Sequence, residues 1–304
     1  MRDDGPPHPP GEETRRSAHL PSLTTPLCRR LGVEVPVFQA PIGSAVSPEL
    51  VAGVSHAGGL GMLALTWTPA GEIPRILDRV RELTERPFGA NLVLDFPVAD
   101  RLDACLEGGV PVISTFWGDP AGCTDRIRAA GAFHVHTVGS ADEARHAADA
   151  GVDAVVAQGW EAGGHVRGLT ATLPLVPAVV DAVSPLPVVA AGGIADGRGL
   201  AAALALGAQA GWMGTRFLAA TEARTHDIYR AASSAHEPKK PSTPAASTAA
   251  GRTRRTGPCA TAHWPPGKRP APRSRPGRVR ETSLPGEPTT PRTCATRTPY
   301  RWPA

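Results

Sequence analysis

The stretch "VDAVVAQGWEAGGHVRG", residues 152–168, joins an apolar run to a glycine-rich turn that contains a histidine. Its first part is short and almost continuously apolar, which is typical of a strand buried on both faces of a parallel sheet. The turn from Gly159 onward contains four glycines, so its backbone can adopt conformations that other residues avoid. The stretch therefore predicts a buried strand whose carboxyl end carries a loop that a ligand can approach closely.

The same unit repeats through the middle of the chain, where apolar runs alternate with segments of helical period. The strand candidates are "VPVFQA" (35–40), "LGMLAL" (60–65), "FGANLVL" (88–94), "VPVIST" (110–115), "FHVHTV" (133–138), "VDAVVAQ" (152–158), "LPVVAAG" (186–192) and "AGWMGT" (210–215). Helix boundaries carry their own signals: Ser47 precedes Pro48, and Ser140 stands three residues before Glu143, the capping-box spacing. Eight such units predict an α/β fold, a (β/α)8 TIM barrel, with a doubly wound sheet of fewer strands as the alternative.

Composition divides the chain into three parts. Residues 1–22 are charged and Pro-rich and predict a disordered leader, residues 23–232 predict the barrel, and residues 233–304 predict a disordered basic tail rich in Pro, Arg and Thr. The leader lacks the apolar segment of a secretory signal, and no run of 18 apolar residues appears. The five cysteines are scattered, without metal-binding spacing. These features predict a cytoplasmic protein with no membrane span, disulfide framework or metal site.

Glycine gathers where the last two predicted strands end, in "AAGGI" (190–194) and "MGTRF" (213–217). In a barrel, ligands bind at the carboxyl ends of the strands. Backbone N–H groups and helix N-termini, expected here near Asp196 and Thr221, can hold an anion. The pattern predicts a site for a phosphorylated ligand; tight turns alone are the alternative explanation for the glycines.

Several motifs in one order resemble the nitronate monooxygenases, the 2-nitropropane dioxygenase-like flavoproteins. The motifs are "QAPI" (39–42), "SHAGGLG" (55–61), "GANL" (89–92), "QGWEAGGH" (158–165), "AAGGIADGRG" (190–199) and "MGTRF" (213–217). The resemblance runs from about Val35 to Arg230. It implies a barrel that binds FMN and oxidises alkyl nitronates or nitroalkanes with O2, without a metal.

The resemblance also implies a cofactor site. The implied FMN-binding residues are Ala40, Pro41, Ile42, Asn91, Gln158, Gly163, Gly164, Gly192, Gly193, Trp212, Met213, Gly214 and Thr215. Asn91 and Gln158 are expected at the flavin ring, and Gly193 with the segment 212–215 at the phosphate. Trp212 stands where the family usually has Gln, and a main-chain contact would tolerate that change.

The resemblance implies that His165 is the catalytic base. An imidazole with a pKa near 6.5 can accept a proton from a nitroalkane. In its protonated form it can also make an ion pair with a nitronate anion. His136, at the end of the fifth strand, is expected to point toward the mouth and to contact flavin or substrate, with plain packing as the alternative. Glu161 is expected to hold its loop through backbone N–H groups, and Asp196 to be a helix N-cap.

The tail departs from the family. Its segment "AGRTRRTGPC" (250–259) can be encoded so that the neighbouring reading frame gives "GWPDAPHRAL", text of the kind found in family C-termini. This favours the hypothesis that residues 233–304 are translated out of frame. A genuine basic tail for nucleic acid or acidic partners is the alternative, but the arginines lack an RGG or stacking pattern, so we expect no nucleic-acid partner.

Three other functions stay open at this point. Flavin-dependent enoyl reductases share the barrel and similar motifs, an NADH:quinone reductase-like enzyme would use the same cofactor, and a barrel damaged by its tail would bind FMN without turnover. No "GxGxxG" follows a predicted strand, which weakens the reading as a nicotinamide-dependent enzyme. The expected partners are a small nitronate or nitroalkane and O2; the sequence leaves the oligomeric state open.

Overall fold

The computed structural model describes residues 23–234. The predicted leader, and the predicted tail from residue 235 onward, lie outside the described residues. The disorder of both segments and the out-of-frame origin of the tail therefore stay predictions. The last described helix ends at Ser234, just past the predicted boundary of the barrel at residue 232.

Eight parallel strands form one sheet in the order β1-β8-β7-β6-β5-β4-β3-β2. They are β1 Val37–Gln39, β2 Gly61–Ala64, β3 Phe88–Val93, β4 Val112–Phe116, β5 Phe133–Val138, β6 Ala154–Gln158, β7 Val188–Ala191 and β8 Ala210–Met213. A parallel bridge between Phe38 and Leu60 brings the two ends of this order together. The (β/α)8 barrel is confirmed, and its strand order lacks the reversal that a doubly wound sheet requires.

The seam between β1 and β2 is closed partly by a side chain. Gln39 is fully buried; its Oε1 accepts a hydrogen bond from the Met62 N–H at 3.0 Å, and its Nε2 donates to the Met62 carbonyl at 3.3 Å. Because β1 is only three residues long, this amide takes the place of a missing backbone pair. The Gln of the "QAPI" motif therefore has a structural role in barrel closure.

Helices fill the connections between the strands. Within residues 23–234 they are α1 Pro26–Leu31, α2 Pro48–His56, α3 Ile73–Leu83, α4 Ala99–Glu107, α5 Ala121–Ala129, α6 Ala141–Asp149, α7 Thr172–Val183, α8 Gly197–Ala205 and α9 Asp227–Ser234. Three short 3₁₀ helices cover Gly43–Ala45, Ala70–Glu72 and Thr215–Ala219. No helix of this part of the chain is both long and apolar enough to cross a bilayer.

The predicted N-caps are confirmed. Ser47 accepts a hydrogen bond from the Leu50 N–H, and Ser140 accepts one from the Glu143 N–H. The prediction of a helix that begins near Thr221 is wrong, because a 3₁₀ helix follows β8 and α9 begins only at Asp227.

The barrel interior is packed with apolar side chains from alternate strand positions. Phe38, Met62, Val156 and Trp212 belong to this inner cluster, and α1 adds Leu27, Cys28 and Leu31 to it. The intervening strand residues face the outer helices. A filled interior leaves the loops at the carboxyl ends of the strands as the place where a ligand can bind.

Candidate functional site

The loops after β1, β6, β7 and β8 meet at one side of the barrel mouth, which we call the glycine half (Gly163, Gly164, Gly193, Gly214 and Thr215). A Cβ built on Gly163 would lie 3.2 Å from Thr215 Oγ1. One built on Gly193 would lie 3.7 Å from Glu161, and one on Gly214 3.0 Å from Ile42. Predicted cofactor residues from four separate loops are therefore neighbours in space.

Two positions in the glycine half have a backbone conformation that favours glycine. Gly164 has a φ of +77° and Gly193 a φ of +65°, the left-handed region that L side chains rarely adopt. No heavy atom lies within 4 Å of a Cβ built on Gly164, and Gly193 is exposed. These turns therefore present bare main chain to whatever occupies the mouth.

The N–H groups of the glycine half suit an anion. Within residues 23–234, no backbone or side-chain acceptor receives the N–H of Gly193, Gly214 or Thr215. Thr215 opens a 3₁₀ helix, and the first N–H groups of a helix have no partner inside it. The residues present therefore fit the phosphate of a bound mononucleotide.

The N-terminus of α8 does not contribute as expected. Asp196 caps it, and the Asp196 Oδ1 accepts hydrogen bonds from the N–H groups of Arg198 at 3.0 Å and Gly199 at 3.3 Å. The side chain of Arg198 and these N–H groups lower the pKa of Asp196 to about 2. The predicted N-cap is confirmed, and its carboxylate takes two of the helix N–H groups that were expected to help hold an anion.

Two amide side chains lie on the inner face of the sheet. Asn91 alternates with Ala90 and Leu92, which face outward, and its Oδ1 accepts a hydrogen bond from Ser114 at 3.1 Å. Gln158 ends β6, and its Nε2 donates to the His165 carbonyl at 3.2 Å. Gln158 is the last residue of β6, and Asn91 is level with Ala64, the last residue of β2, so both lie near the edge of the sheet where contact with a flavin ring is expected.

The other predicted cofactor residues lie at the ends of β1, β7 and β8. The Ala40 N–H donates to the Met213 carbonyl at 2.8 Å, which joins the two strand ends. Pro41 and Ile42 follow, half-buried. Gly192 has a φ of +116°, and the Trp212 indole packs edge-on against Phe38 inside the barrel with the ring centres 6.4 Å apart. The Trp212 side chain thus belongs to the core, which leaves its main chain for a ligand contact.

The opposite side of the mouth, which we call the aromatic half, is formed by Trp67, Phe96, Phe116 and Trp117. His165 is exposed, and its ring centre lies 5.2 Å from that of Trp117 and 6.4 Å from that of Trp67. Trp67 also contacts Phe96, and Phe116 contacts Trp117. The predicted catalytic histidine therefore stands beside two tryptophans.

The sequence reasoning missed the aromatic half. Its members follow three strands, in "LTW" (65–67), "LDF" (94–96) and "TFW" (115–117), and this recurrence after strand ends is the one signal that could have found them. Trp117 adopts a φ of +56°, rare for a bulky residue, and Gly118 follows at +62°. The left-handed turn at the end of β4 sets the direction of the indole.

His136 does not point toward the mouth, which corrects the expectation from its position in the strand. It pairs in register with Thr115 and Val155, which lie on the outer face of the sheet, whereas Val135 lies on the inner face. The Thr115 hydroxyl lies 2.8 Å from Nδ1 of His136 and 2.8 Å from Nε2 of His134. His136 is thus part of a buried polar pair between sheet and helices.

Burial keeps both of these histidines neutral. It lowers the pKa of His134 to about 4, with a smaller contribution from Arg128. It lowers the pKa of His136 to about 3, helped by His134 and Arg167. The pair is suited to holding β4, β5 and α5 together rather than to transferring protons at neutral pH.

Glu161 holds the loop after β6, as expected. Its carboxylate accepts the Thr172 N–H at 3.0 and 3.2 Å, which ties the loop to the start of α7. A side chain on Gly159 would collide with the Thr172 hydroxyl, so the loop can pass there only with glycine. The position of His165 is therefore fixed by the loop around it. Residues 23–234 contain no group of three or more His, Cys, Asp or Glu side chains able to hold a metal ion.

Comparisons with known proteins agree with this architecture. The family model for nitronate monooxygenase matches residues 24–101 and 94–259. The chain is 42% identical over 209 residues to the (3aS,4S,5R,7aS)-5-hydroxy-7a-methyl-1-oxo-octahydro-1H-indene-4-carboxyl-CoA dehydrogenase of Rhodococcus jostii, covering 68% of this chain and 59% of that protein. It is 34% identical to a probable nitronate monooxygenase of Staphylococcus aureus, covering 67% of this chain and 70% of that protein.

Two solved structures are similar. FabK from Thermotoga maritima has a TM-score of 0.66 at 40% identity, over 68% of this chain and 66% of that chain. Nitroalkane oxidase from Streptomyces ansochromogenes has a TM-score of 0.62 at 35% identity, over 66% of this chain and 70% of that chain. The closed barrel, the residues at its mouth and the similarities to known proteins together define the class of this protein. It is a (β/α)8 barrel related to flavin-dependent oxidoreductases. The chain belongs to the nitronate monooxygenase family.

Proposed function

We propose that this protein is an FMN-dependent oxidoreductase that oxidises alkyl nitronates or nitroalkanes with O2. The observation that carries the proposal is His165, an exposed imidazole between the glycine half and the aromatic half of the mouth. A general base must be reachable by substrate and must titrate near the working pH, and a histidine in this position meets the first condition.

His165 would accept the α-proton of a nitroalkane, or pair as a cation with a nitronate that has already lost it. Trp67 and Trp117 would limit the access of water to the imidazole and offer apolar contact to the alkyl part of the substrate. When bound, FMN supplies the redox chemistry, taking electrons from the substrate and passing them to O2. The chain's own contribution is binding, orientation and proton transfer.

FMN would be held by the main chain of the glycine half at its phosphate and by Asn91 and Gln158 at its ring. Three N–H groups without an acceptor in residues 23–234 support the first contact. The inward positions of the two amides support the second. Releasing the flavin from purified protein and measuring its mass would identify it; FAD in place of FMN would contradict the proposal.

Oxygen uptake with ethyl nitronate as substrate tests the reaction. We expect uptake that depends on bound flavin, requires no added metal and needs no NADH. NADH oxidation by the same protein, with no oxygen uptake on nitronate, would contradict the proposal and favour a nicotinamide-dependent reductase.

A second candidate function is redox chemistry on a CoA thioester. Its supporting observation is the 42% identity to a dehydrogenase whose name specifies a CoA thioester, against 34% for the probable nitronate monooxygenase. A thioester carbonyl acidifies its α-carbon as a nitro group does, so His165 would have the same role in both reactions. An assay with an acyl-CoA and an artificial electron acceptor separates the two candidates.

A further inference from the structure

A cavity of about 600 Å3 lies beside the mouth, and we call it the side cleft. Gly43, Ala64 and Trp67, which follow or end β1 and β2, line its inner part, and Val46 and Ile76 give it apolar walls. Trp67 lines the cleft and also contacts His165, so the cleft adjoins the mouth. Its volume is in the range of about 300–1,000 Å3 that small-molecule sites have.

Arginines line the outer part of the side cleft. Arg79 forms ion pairs with Glu49 at 3.2 Å and Glu82 at 3.0 Å. Arg75 and Arg224 also line the cleft, and within residues 23–234 no carboxylate forms an ion pair with either of them, although Arg224 is near enough to Glu49 to help lower its pKa. The N–H groups of both guanidinium groups are therefore available to an anion.

The overall charge of the lining is positive. Three arginines face two carboxylates, Glu49 and Glu72. The pKa of Glu49 is lowered, first by a hydrogen bond from a backbone N–H and then by Arg79 and Arg224. Glu49 is thus held as the anion that Arg79 neutralises, and because Glu72 offsets one of the two remaining arginines, the lining carries a single excess positive charge.

The backbone at Arg224 is fixed on the wall of the cleft. The Arg224 N–H donates to the Ala45 carbonyl at 2.9 Å, and the Ser47 hydroxyl donates to the Glu222 carbonyl at 2.6 Å. Both contacts join the segment after β8 to the loop after β1. The Arg224 side chain therefore starts from a main chain held in place, and α3 contributes Arg75 to the same lining.

We propose that the side cleft binds the pyrophosphate arm of a nucleotide-linked substrate whose reactive end lies at the mouth. The planar guanidinium groups of Arg75 and Arg224 match phosphate oxygens, and the apolar walls suit the chain between phosphate and reactive end. CoA thioesters and reduced nicotinamide dinucleotides share this chemistry. The proposal rests on the proposed function only in taking the mouth as the reactive centre.

Equilibrium binding to the full-length protein tests the proposal. Free coenzyme A and NADH are titrated separately by calorimetry, with inorganic pyrophosphate as competitor and with flavin content recorded from the visible spectrum. We expect Arg75→Ala and Arg224→Ala each to weaken binding roughly tenfold or more, the scale for losing a hydrogen bond to a charged group. Arg145→Ala is the matched control, because Arg145 is an exposed arginine paired with Asp142 on α6.

The two ligands distinguish the two sources of the pyrophosphate. Binding of coenzyme A alone assigns the cleft to acyl thioesters, and binding of NADH alone assigns it to the electron donor. Binding of both, with competition by pyrophosphate, supports the shared chemistry.

Absence of saturable binding by either ligand overturns the proposal. Equal affinity in the wild type and both cleft variants, or an equal loss in Arg145→Ala, also overturns it. Arg75 and Arg224 are exposed, so their replacement should leave the fold intact, and Arg75→Lys should keep part of the affinity. Failure of nitronate oxidation would contradict the proposed function without touching this result, because binding is measured without turnover.

Discussion

The two halves of the barrel mouth are built on different principles. In the glycine half we assign ligand contact to the main chain, and Gly164 and Gly193 adopt conformations that exclude most side chains. In the aromatic half we assign it to side chains, and Trp67 and Trp117 contact the ring of His165. A phosphate is well bound by N–H groups of fixed direction, whereas an alkyl substrate is well bound by apolar area.

The difference has a consequence for how each half responds to change. A backbone that must be left-handed cannot accommodate a branched residue, so one substitution should eliminate the phosphate contact. Aromatic contacts are shared among several rings, so a single substitution should reduce them only in part. Replacement experiments in each half can therefore test whether the two halves differ in this way.

Replacing Gly193 by Val should have the largest effect, a near-complete loss of bound flavin. Valine is β-branched and would be strained at a φ of +65°, so the turn would have to change its conformation and move the Gly193 N–H that we assign to the phosphate. The visible absorbance of the purified protein reports the flavin directly.

Gly131→Val is the control for this variant. Gly131 has a φ of +72°, lies just before the amino end of β5 and so at the face of the barrel opposite the mouth, and no heavy atom lies within 4 Å of a Cβ built there. A Gly193→Val protein that purifies with a full complement of flavin would place the phosphate elsewhere and remove the basis for the glycine half.

Replacing His165 by Asn should leave the flavin bound and reduce turnover of neutral nitroalkanes by about 100-fold or more, the usual effect of losing a general base. Turnover of a preformed nitronate should fall less, because its α-proton is already absent. Steady-state oxygen uptake on the two substrates measures the difference. His56→Asn, at an exposed histidine of α2, is the control. Equal losses on both substrates would assign His165 to binding and not to proton transfer.

The sequence predicted the glycine half better than the aromatic half. Gly163, Gly164 and His165 are consecutive, so one motif contains both the turn and the proposed base. Trp67, Phe96 and Trp117 come from three loops, and only closure of the barrel brings them together. A single aromatic residue after a strand does not indicate, from the sequence alone, that it packs with aromatic residues of other loops.

The mistaken placement of His136 has a related cause. The strand was correctly predicted as 133–138, but which face each residue takes depends on register within the closed sheet. The apolar residues of β5 do not distinguish inside from outside, because both faces of a barrel strand are buried. The eight strands themselves were predictable, since each apolar run is short and bounded by glycine, proline or a cap.

Replacing Trp117 by Leu should reduce kcat/KM on alkyl nitronates by up to about tenfold, the scale of losing one aromatic contact. Flavin content should not change, since the indole belongs to the aromatic half. Steady-state kinetics with short and long alkyl nitronates measure this, and the longer substrate should lose more. Trp160→Ala provides the control, because Trp160 is exposed in the β6 loop. Loss of flavin from Trp117→Leu would mean that the two halves are not separate in function.

The smallest effect should be a loss of folding stability at acid pH, caused by the buried pair His134 and His136 in β5, next to the strand that carries Phe116 of the aromatic half. Burial lowers the pKa of His134 to about 4 and of His136 to about 3, whereas an unfolded histidine titrates near 6.5. As the pH falls below 6.5, these two histidines bind protons in the unfolded chain but not in the folded chain. Their contribution to the free energy of unfolding is therefore fully present above pH 6.5 and is lost progressively toward pH 4.

Thermal unfolding at pH 7 and pH 5 should therefore show a midpoint several degrees lower at pH 5, on the usual scale for a domain of this size. His134→Gln, whose amide can still bond to Thr115 and Thr124, should reduce that difference, whereas His146→Gln at an exposed position of α6 should not. Hydrogen exchange at pH 5 should rise first in β4, β5 and α5 and later in β7 and β8, which contain no histidine. An unchanged pH difference in His134→Gln, or exchange that rises equally in both regions, would show that the buried pair is not the acid-sensitive element and that the two halves of the mouth rest on equally stable frameworks.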